Sequence, residues 1–383
     1  MIQTKDYNVY EGKPFGNIIL ESSYSELTGL GFEPGDSVDI RFSNGTELED
    51  IPFLSGCVLP EGMICLNAYE GFEWIRIEKR FGRMWDSYVM TGKETGRIFL
   101  NEHRKYLLLQ NVFNTDFSLS RECFPNDEVY ANYRCLSGGK IRKWKFYRSS
   151  ASFDPLHDRG EFVIRQKYLD KLLERDGIQF VVNMTCDKSQ ADEIFASRRY
   201  NGFYIQKLYE EGKVFSALFP ADYSAPEFRR LLASALRLLM EHNGPYLLQC
   251  RAGLDRTGFV CCLLEALAGA EQKEITDDYM LSYECLCGVT KETNREKYDF
   301  LKMFQAERIL KIMTQERSLS RNITAAELCS EVAATSERRY AESYCSGALS
   351  ASAEKYLLQC GMLFEEISEL KQILTESLIF EKS

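Results

Sequence analysis

The sequence lacks the paired cysteine spacing of disulfide-rich and zinc-binding domains. Its 13 cysteines are an odd number, and no two of them form a Cys-x-x-Cys pair. Cys261–Cys262 and Cys285-x-Cys287 have the wrong spacing for a zinc site. Many thiols without a disulfide framework are typical of a reducing compartment. The sequence therefore predicts a cytoplasmic protein with no bound metal.

Long apolar runs are also missing. No run approaches the ~20 residues that a membrane-spanning helix needs, so we expect no stable membrane insertion. The polar segment Met1–Tyr10 has no apolar stretch of the kind found in signal peptides. Export of a form from which a leader has been removed stays open.

Positive charge is the third shortage. The chain has 57 acidic and 47 basic residues and a formal net charge of −10. This balance disfavours nucleic acid and anionic membrane surfaces as partners. The 383 residues, 45% of them hydrophobic, predict a folded chain of two or three domains and leave the oligomeric state open.

The stretch from Gly244 to Ala268 carries the clearest pattern. Gly244-Pro245 marks a turn, and the apolar Tyr246–Gln249 predicts a buried strand. A loop, Cys250–Gly258, follows, and the apolar run Phe259–Ala268 predicts a buried helix. A strand, a tight loop and a helix N-terminus form an anion site, because free backbone N–H groups converge there.

The loop residues suit phosphate chemistry. A helix N-terminus and a guanidinium favour the nucleophilic thiolate of a cysteine such as Cys250. Arg256 can clamp two phosphate oxygens at once. Gly253 and Gly258 allow close backbone approach, and Thr257 can donate its hydroxyl to the thiolate. A Gly-Lys-Ser/Thr ending is missing, so a nucleotide-binding loop is not indicated.

The run Cys-Arg-Ala-Gly-Leu-Asp-Arg-Thr-Gly resembles the signature of the cysteine-based protein tyrosine phosphatases. Its Asp-Arg-Thr-Gly ending is similar to the bacterial branch, which includes tyrosine, dual-specificity and lipid phosphatases. The resemblance implies an α/β fold with a central sheet flanked by helices, and a phosphocysteine intermediate formed without metal or cofactor. It implies a phosphorylated protein or a small phosphomonoester as substrate. It assigns catalysis to Cys250 and Arg256, and substrate binding to Arg251, Ala252, Gly253, Leu254 and Thr257.

Two positions depart from the family pattern. Gln249 stands where the family usually places His before the cysteine, which motivates an alternative function as a pseudophosphatase that binds phosphate without turnover. Leu254 stands where the bacterial branch often has Lys, which weakens a phosphoinositide or inositol phosphate phosphatase. Arg251 supplies one cation and keeps that alternative open.

The resemblance extends over most of residues 140 to 300. Tyr147-Arg148-Ser149 is similar to a bacterial motif whose Arg braces the phosphate loop, so Arg148 is a candidate site residue. Ile275–Tyr283 and Gly288–Glu292 resemble clostridial-type members. Outside these motifs, a helix is predicted over Ile164–Asp176, and Pro226 is predicted to open another.

Three aspartates are candidates for the general acid that protonates the leaving group. Asp255 lies in the loop itself, and we favour it for that reason. Asp222 follows a proline and loosely resembles the mobile acid loop of tyrosine phosphatases. Asp187 follows the predicted strand Ile178–Met184, at the edge where functional loops gather.

The chain divides into three predicted parts. Residues 1–115 form a β-rich accessory domain, with a strand at Ser37–Phe42 and a hairpin turn at Asn44-Gly45. Phe15–Ile18, Gly35–Val38 and Phe72–Ile77 faintly resemble the β-barrel half of the SAM hydroxide adenosyltransferases. Residues 116–312 form the phosphatase domain. Residues 313–383 form a helical extension that packs on it, with a break at Gly361.

Overall fold

The computed structural model describes residues 2–13, 16–57, 62–70, 73–79, 83–115, 120–154, 162–314, 324–335 and 345–375. Phe15 and Phe72, which contributed to the faint adenosyltransferase resemblance, lie outside these ranges. The chain separates into two compact units. The first comprises residues 1–116, 299–304 and 318–340, and the second comprises residues 117–298, 305–317 and 341–383. The three-part division predicted from the sequence stays a prediction.

The strands, in chain order, are β1 (Tyr7–Gly12), β2 (Asn17–Leu20), β3 (Ser37–Phe42), β4 (Glu47–Ser55), β5 (Ile64–Ala68), β6 (Ile75–Lys79), β7 (Thr95–Glu102), β8 (Arg134–Cys135), β9 (Phe146–Ser149), β10 (Phe180–Asn183), β11 (Val214–Ser216) and β12 (Tyr246–Gln249). The helices are α1 (Tyr24–Gly29), α2 (Met84–Ser87), α3 (Leu107–Phe113), α4 (Asp127–Tyr130), α5 (Phe162–Arg175), α6 (Lys188–Ala196), α7 (Tyr204–Glu210), α8 (Pro226–Met240), α9 (Asp255–Leu267), α10 (Gln272–Cys287), α11 (Arg295–Leu301), α12 (Glu307–Met313), α13 (Ala325–Thr335), α14 (Ser346–Gln359) and α15 (Phe364–Thr375). None of the described helices is long and apolar enough to cross a bilayer.

The first unit is a β-barrel, as predicted. Its described strands close in the order β1-β2-β6-β5-β4-β3-β7. All neighbouring pairs are antiparallel except β4 and β5. In β3, Val38, Ile40 and Phe42 belong to the barrel core, because alternate residues of a strand face the same side. The turn between β3 and β4 places Gly45 at a φ of 87°, which confirms the predicted hairpin.

The second unit is built around a five-stranded sheet in the order β11-β10-β12-β9-β8. β12 lies in the middle, parallel to β10 on one side and to β9 on the other. The short edge strand β8 is antiparallel to β9. β11 is also parallel to β10, so the carboxyl ends of the four parallel strands meet at one edge of the sheet, where ligands of α/β proteins bind.

Helix α9 begins at Asp255, four residues before the predicted start at Phe259. The predicted loop Cys250–Gly258 was therefore too long, and the observed loop is Cys250–Leu254. The polar first turn obscured the start, since acidic and polar side chains are favoured at a helix N-terminus even without an apolar pattern. Gly258 lies inside α9, where a Cβ would come within 2.6 Å of the Tyr279 ring.

The described residues 346–375 are helical, as predicted, with Gly361 at a φ of 85° between α14 and α15. Tyr356 of α14 donates its hydroxyl to the Tyr223 carbonyl. Its ring packs against Phe259 of α9 with 5.1 Å between the centroids. These contacts hold α14 against the helix that follows the Cys250 loop.

Candidate active site

Cys250 directly follows β12, the middle strand of the sheet. Only 3% of Cys250 is exposed, and Leu254 at the other end of the loop is also buried. Since α9 starts at the next residue, the unpaired N–H groups of its first turn lie beside the loop. One strand–loop–helix junction thus holds eight of the predicted site residues: Cys250, Arg251, Ala252, Gly253, Leu254, Asp255, Arg256 and Thr257.

Arg256 is held by two carbonyl groups of neighbouring segments. Its Nη1 donates to the carbonyl of Met184, just after β10, and to that of Phe219 at 3.3 Å. The guanidinium is therefore fixed at the carboxyl edge of the sheet. Thr257, one residue on, is fully buried, and its Oγ1 has no hydrogen-bond partner in the part of the chain that the structure describes.

Only glycine fits at position 253 of this loop. Its φ is 70°, in the left-handed region, and a Cβ there would lie 2.3 Å from the Ser149 carbonyl oxygen. Such contacts force the backbone to move. Its own carbonyl accepts a 2.7 Å hydrogen bond from Arg148 Nη2. The close approach of the loop to β9 therefore depends on the missing side chain.

Two arginines and one aspartate form a buried brace behind the loop. Arg148 of β9 donates from Nη1 to Asp278 Oδ2 at 2.5 Å. Arg134 of β8 donates from Nε to Asp278 Oδ1 at 2.7 Å. Arg134 also bonds the side-chain oxygen of Asn132, whose Nδ2 donates to the Ala252 carbonyl at 3.0 Å. The brace thus reaches two successive loop carbonyls, at Ala252 and Gly253.

One ionised acid, Asp278, belongs to the brace, and one neutral acid, Glu265, is buried in α9 and feels the charge of Asp278. Burial alone would raise the pKa of Asp278, but Arg134 and Arg148 outweigh it and lower that pKa. Glu265 of α9 is fully buried, and burial together with the Asp278 charge raises the pKa of Glu265 well above its usual range. Desolvation disfavours the charged form of any acid, so only the carboxylate with two cationic partners stays ionised.

A Glu265→Gln variant tests this assignment through the pH dependence of stability. The folded protein keeps the Glu265 proton, whereas the unfolded chain releases it above about pH 4.3. The contribution of Glu265 to the stability of the wild type is therefore lost as the pH rises from that value towards the raised pKa of Glu265 in the folded protein. Relative to wild type, the free energy of unfolding of Glu265→Gln should increase by about 1.4 kcal/mol for each pKa unit of the shift. Denaturant unfolding at acidic and neutral pH measures this difference.

The matched control is Glu292→Gln, which removes an exposed glutamate. Its unfolding free energy should follow that of the wild type at both pH values. If Glu265→Gln also follows the wild type at both, Glu265 is ionised in the folded protein.

Gln249 connects the elements that hold Cys250 and Arg256. Its fully buried side chain accepts from the Ser152 backbone N–H at 3.0 Å and donates to Asn183 Oδ1 at 3.3 Å. Its carbonyl accepts from Met184 N, also at 3.0 Å. Since the Met184 carbonyl in turn accepts from Arg256, the residue before Cys250 is bonded to the segment that orients the arginine.

The three candidate acids occupy different settings. Asp255 is the first residue of α9 and is partly exposed beside the loop. Asp222 accepts from the backbone N–H and the hydroxyl of Ser224, as in an Asx turn. Asp187 is exposed and caps α6 through a hydrogen bond from Gln190 N. Only Asp255 shares an element with Arg256.

Several residues of this region had no assigned role in the sequence analysis, among them Asn132, Asp154, Asn183 and Asp278. Asp154 is buried, and its Oδ2 lies 3.6 Å from Nε of Arg251 in the loop. Asp278 lies within the stretch Ile275–Tyr283, whose family resemblance was the only available signal. The other three act through contacts between distant segments, which no local pattern reveals.

Comparison with known proteins agrees with this geometry. The sequence model described as "Tyrosine phosphatase family" matches residues 197–376. Over these residues the chain is similar to the tyrosine phosphatase family. The family predicted from the Cys250 loop is thereby confirmed, and the matched region includes that loop, α8, α9 and α10.

Two similar proteins show how far the likeness reaches. A tyrosine-protein phosphatase of Nostoc commune is 35% identical over 72 residues, which are 19% of this chain and 24% of that protein. The chain thus spans about a quarter of the length of this curated relative. The core catalytic domain of the PP-IP phosphatase SIW14 from S. cerevisiae, solved with citrate, is 18% identical with a TM-score of 0.26, covering 48% of this chain and 92% of that one.

Proposed function

We propose that the protein is a cysteine-dependent phosphatase that hydrolyses phosphotyrosine or a related phosphomonoester. The observation that carries the proposal is the position of Cys250. This thiol directly follows the middle strand of the sheet and opens a loop whose carbonyls accept from Asn132 and from Arg148 of β9. The nearby Arg256 is held by the Met184 carbonyl just after β10. The match to the tyrosine phosphatase family over residues 197–376 supports it.

In the first step the Cys250 thiolate attacks phosphorus. A sulfur–phosphorus bond forms, the bond to the leaving oxygen breaks, and Asp255 gives its proton to that oxygen. Arg256 and the N–H groups at the start of α9 stabilise the charge on the equatorial phosphate oxygens. The Thr257 hydroxyl, which has no partner among the described residues, is available to the sulfur.

In the second step a water molecule attacks the phosphocysteine. The sulfur–phosphorus bond breaks, inorganic phosphate leaves, and the proton of the water returns to Asp255. The cycle therefore restores both groups without a redox change. Two tests address it: release of phosphate from a generic aryl phosphate, and detection of phosphate on Cys250 after acid quenching of the reaction. The proposal is refuted if pure, folded protein neither releases phosphate nor carries phosphate on Cys250 after the quench.

A pseudophosphatase that binds phosphate without turnover is the second candidate. Gln249 motivates it, because this side chain bonds Ser152 and Asn183 and cannot carry the positive charge of a histidine. Alkylation of Cys250 as a function of pH separates the two candidates. A thiol pKa near the ordinary value of about 8.5 favours the binding protein, whereas a clearly lower value favours the enzyme.

A singly phosphorylated substrate fits the loop better than a polyphosphorylated inositol. Leu254 is buried, so this position offers no cation for a second phosphate. Arg251 is paired with Asp154, which offsets its charge. We therefore propose that phosphopeptides and aryl phosphates are turned over faster than phosphoinositides and inositol phosphates. A substrate panel with the purified protein ranks them.

Asp255→Asn should reveal the general acid through the leaving group. An alkyl or phenyl phosphate needs protonation of its leaving oxygen, so its turnover should fall by about 10²–10⁴-fold. Nitrophenolate leaves without a proton, so turnover of nitrophenyl phosphate should change much less. Asp222→Asn and Asp187→Asn serve as comparisons. If Asp222→Asn shows this leaving-group dependence and Asp255→Asn does not, Asp222 is the acid.

Gln249→Leu should lower kcat more than it changes KM. The variant keeps the size of the side chain but loses the hydrogen bonds to Ser152 and Asn183, so the loop and Arg256 lose a common anchor. A misplacement of about 1 Å in a catalytic group costs on the order of 10²-fold. Steady-state kinetics with nitrophenyl phosphate measures the split between kcat and KM.

The matched control is Gln179→Leu, which removes a partly buried glutamine beside the opposite end of β10. It should keep wild-type kcat even if it lowers stability. Equal kcat values for wild type and Gln249→Leu would show that Gln249 does not position the catalytic groups.

A further inference from the structure

The connection between β8 and β9 is unusually basic for this acidic chain. Residues 136–145, here called the basic hairpin, contain Lys140, Arg142, Lys143 and Lys145. From residue 135 to residue 153 the sequence has no aspartate or glutamate, although the whole chain carries a net charge of −10. The basic hairpin is therefore a local exception to the overall charge.

Trp144, near the end of the basic hairpin, has an unfavourable conformation. Its φ is 64°, in the left-handed region that glycine adopts freely and bulky residues rarely do. Its side chain is 68% exposed, so packing in the core does not offset the cost. An exposed, conformationally strained residue is a reason to look for a function.

The cations of the basic hairpin have no carboxylate partner among the residues that the structure describes. Within the described residues, no acidic oxygen lies within 4.0 Å of Lys140, Arg142, Lys143 or Lys145. Lys140 and Lys143 are exposed. Lys145 donates to the Asn243 carbonyl and lies 5.1 Å from the centre of the Tyr246 ring. Burial, and after it the charge of Arg142, lowers the pKa of Lys145.

The backbone of the basic hairpin is anchored, so these side chains project from a fixed support. Arg142 N donates to the Leu374 carbonyl at 2.8 Å, and Lys140 N donates to the Ala268 carbonyl at 3.0 Å. Trp144 N donates to Cys135 Sγ at 3.1 Å. Acidic residues also contact this backbone: Glu274 Oε1 accepts from Gly139 N at 3.4 Å, and the buried Glu265 lies at Gly138.

We propose that the basic hairpin docks the protein on an anionic membrane surface. The indole ring of tryptophan is suited to the headgroup level of a bilayer, where one end of the ring is apolar and the other is wet. Lysines near an anionic leaflet each strengthen adsorption by about fivefold. A bilayer needs only the exposed side chains of Lys140, Lys143 and Trp144, whereas a nucleic acid strand would extend from them over the acidic remainder of the chain.

The docked protein would present its candidate active site away from the lipid. The basic hairpin lies at the start of β9, whereas the Cys250 loop lies at the carboxyl ends of β9 and β12. The two are at opposite edges of the same sheet. Docking therefore concentrates the protein at a membrane without requiring a lipid substrate, and it does not rest on the proposed phosphatase activity.

Cosedimentation with vesicles tests the proposal. The full chain is mixed at low salt with vesicles of phosphatidylcholine alone or of phosphatidylcholine and phosphatidylserine. We expect binding only to the second kind, with a blue shift of tryptophan emission, and loss of binding at high salt. Lys140→Gln/Lys143→Gln should bind about 25-fold more weakly, since two cations are lost. Trp144→Gly should fold at least as well, because glycine accepts the left-handed φ, but should lack the blue shift.

The matched control is Lys171→Gln/Lys207→Gln, which removes two exposed lysines of α5 and α7. It should bind as the wild type does, and hydrolysis of a soluble aryl phosphate should be the same in all variants. The proposal is overturned if the wild type ignores phosphatidylserine or if the hairpin variants bind equally well. It is also overturned if an oligonucleotide, and not the vesicle, is bound through the same residues.

Discussion

Cys250→Ser is expected to abolish the hydrolysis of aryl phosphates. Serine keeps the size and burial of the side chain, but its hydroxyl is ionised far less readily than a thiol, so the nucleophile of the first step is lost. Removal of the nucleophile in a comparable covalent mechanism costs on the order of 10⁶-fold in kcat. Rates measured with nitrophenyl phosphate should therefore fall to the background of the uncatalysed reaction.

Binding should survive this substitution, because Arg256 and the loop N–H groups remain. Cys250→Ser should still bind inorganic phosphate, and no phosphate should be trapped on it after an acid quench. Cys287→Ser is the matched control, because the serine hydroxyl can keep the hydrogen bond that Cys287 Sγ makes to the Tyr283 carbonyl. Equal turnover by wild type and Cys250→Ser would refute the proposed mechanism.

Asp278→Ala is expected to produce the largest loss of stability. Asp278 is the common carboxylate partner of Arg134 and of the fully buried Arg148. Breaking a buried ion pair by removing one partner costs about 3–5 kcal/mol, because it leaves a buried charge uncompensated. The free energy of unfolding of a typical domain is only about 5–15 kcal/mol, so the denaturation midpoint should fall sharply. Phosphatase activity should fall with it, because Arg148 also holds the Gly253 carbonyl.

The neighbouring Asp277→Ala provides the control on the same helix. Asp277 pairs with the exposed Lys273 one turn earlier, and such surface pairs contribute little. The pH dependence supplies a second check. The pKa of Asp278 is lowered in the folded protein. Its contribution to the free energy of unfolding is therefore present above the ordinary aspartate pKa and is lost as the pH falls through the pKa of the folded protein. The gap between wild type and Asp278→Ala should therefore narrow in acid. A similar denaturation midpoint for both alanine variants would show that the ion pairs of Asp278 do not stabilise the fold.

The local sequence was sufficient wherever a pattern repeats along one element. The strand Ser37–Phe42 and the helix beginning at Pro226 were predicted correctly, because alternation in a strand and the 3.6-residue period of a helix are visible in the residues themselves. The start of α9 was wrong. Its polar first turn has no apolar period, and only the hydrogen bonds of the folded chain mark its beginning.

The candidate site shows the same division. Cys250 to Gly258 is one continuous segment, so its chemistry could be predicted from residue types and spacing. The Arg148 role was suggested by a short motif, but its partners were not, since Gly253 and Asp278 are 105 and 130 residues away in the chain. Ion pairs and hydrogen bonds over such separations depend on the order of strands in the sheet.

The sequence by itself predicted the family, and it also supplied the proposed nucleophile and arginine, because these depend on neighbouring residues in a single loop. It also determined that this loop follows a buried strand. Only the tertiary structure decided how the loop is held: Asn132 and Arg148 reach its carbonyls from two other parts of the chain, and Gln249 ties the residue before the loop to Ser152. The physical reason is that a buried carbonyl or guanidinium must find a partner. That partner is supplied by whichever segment the fold brings within about 3 Å, and distance along the chain does not reveal it.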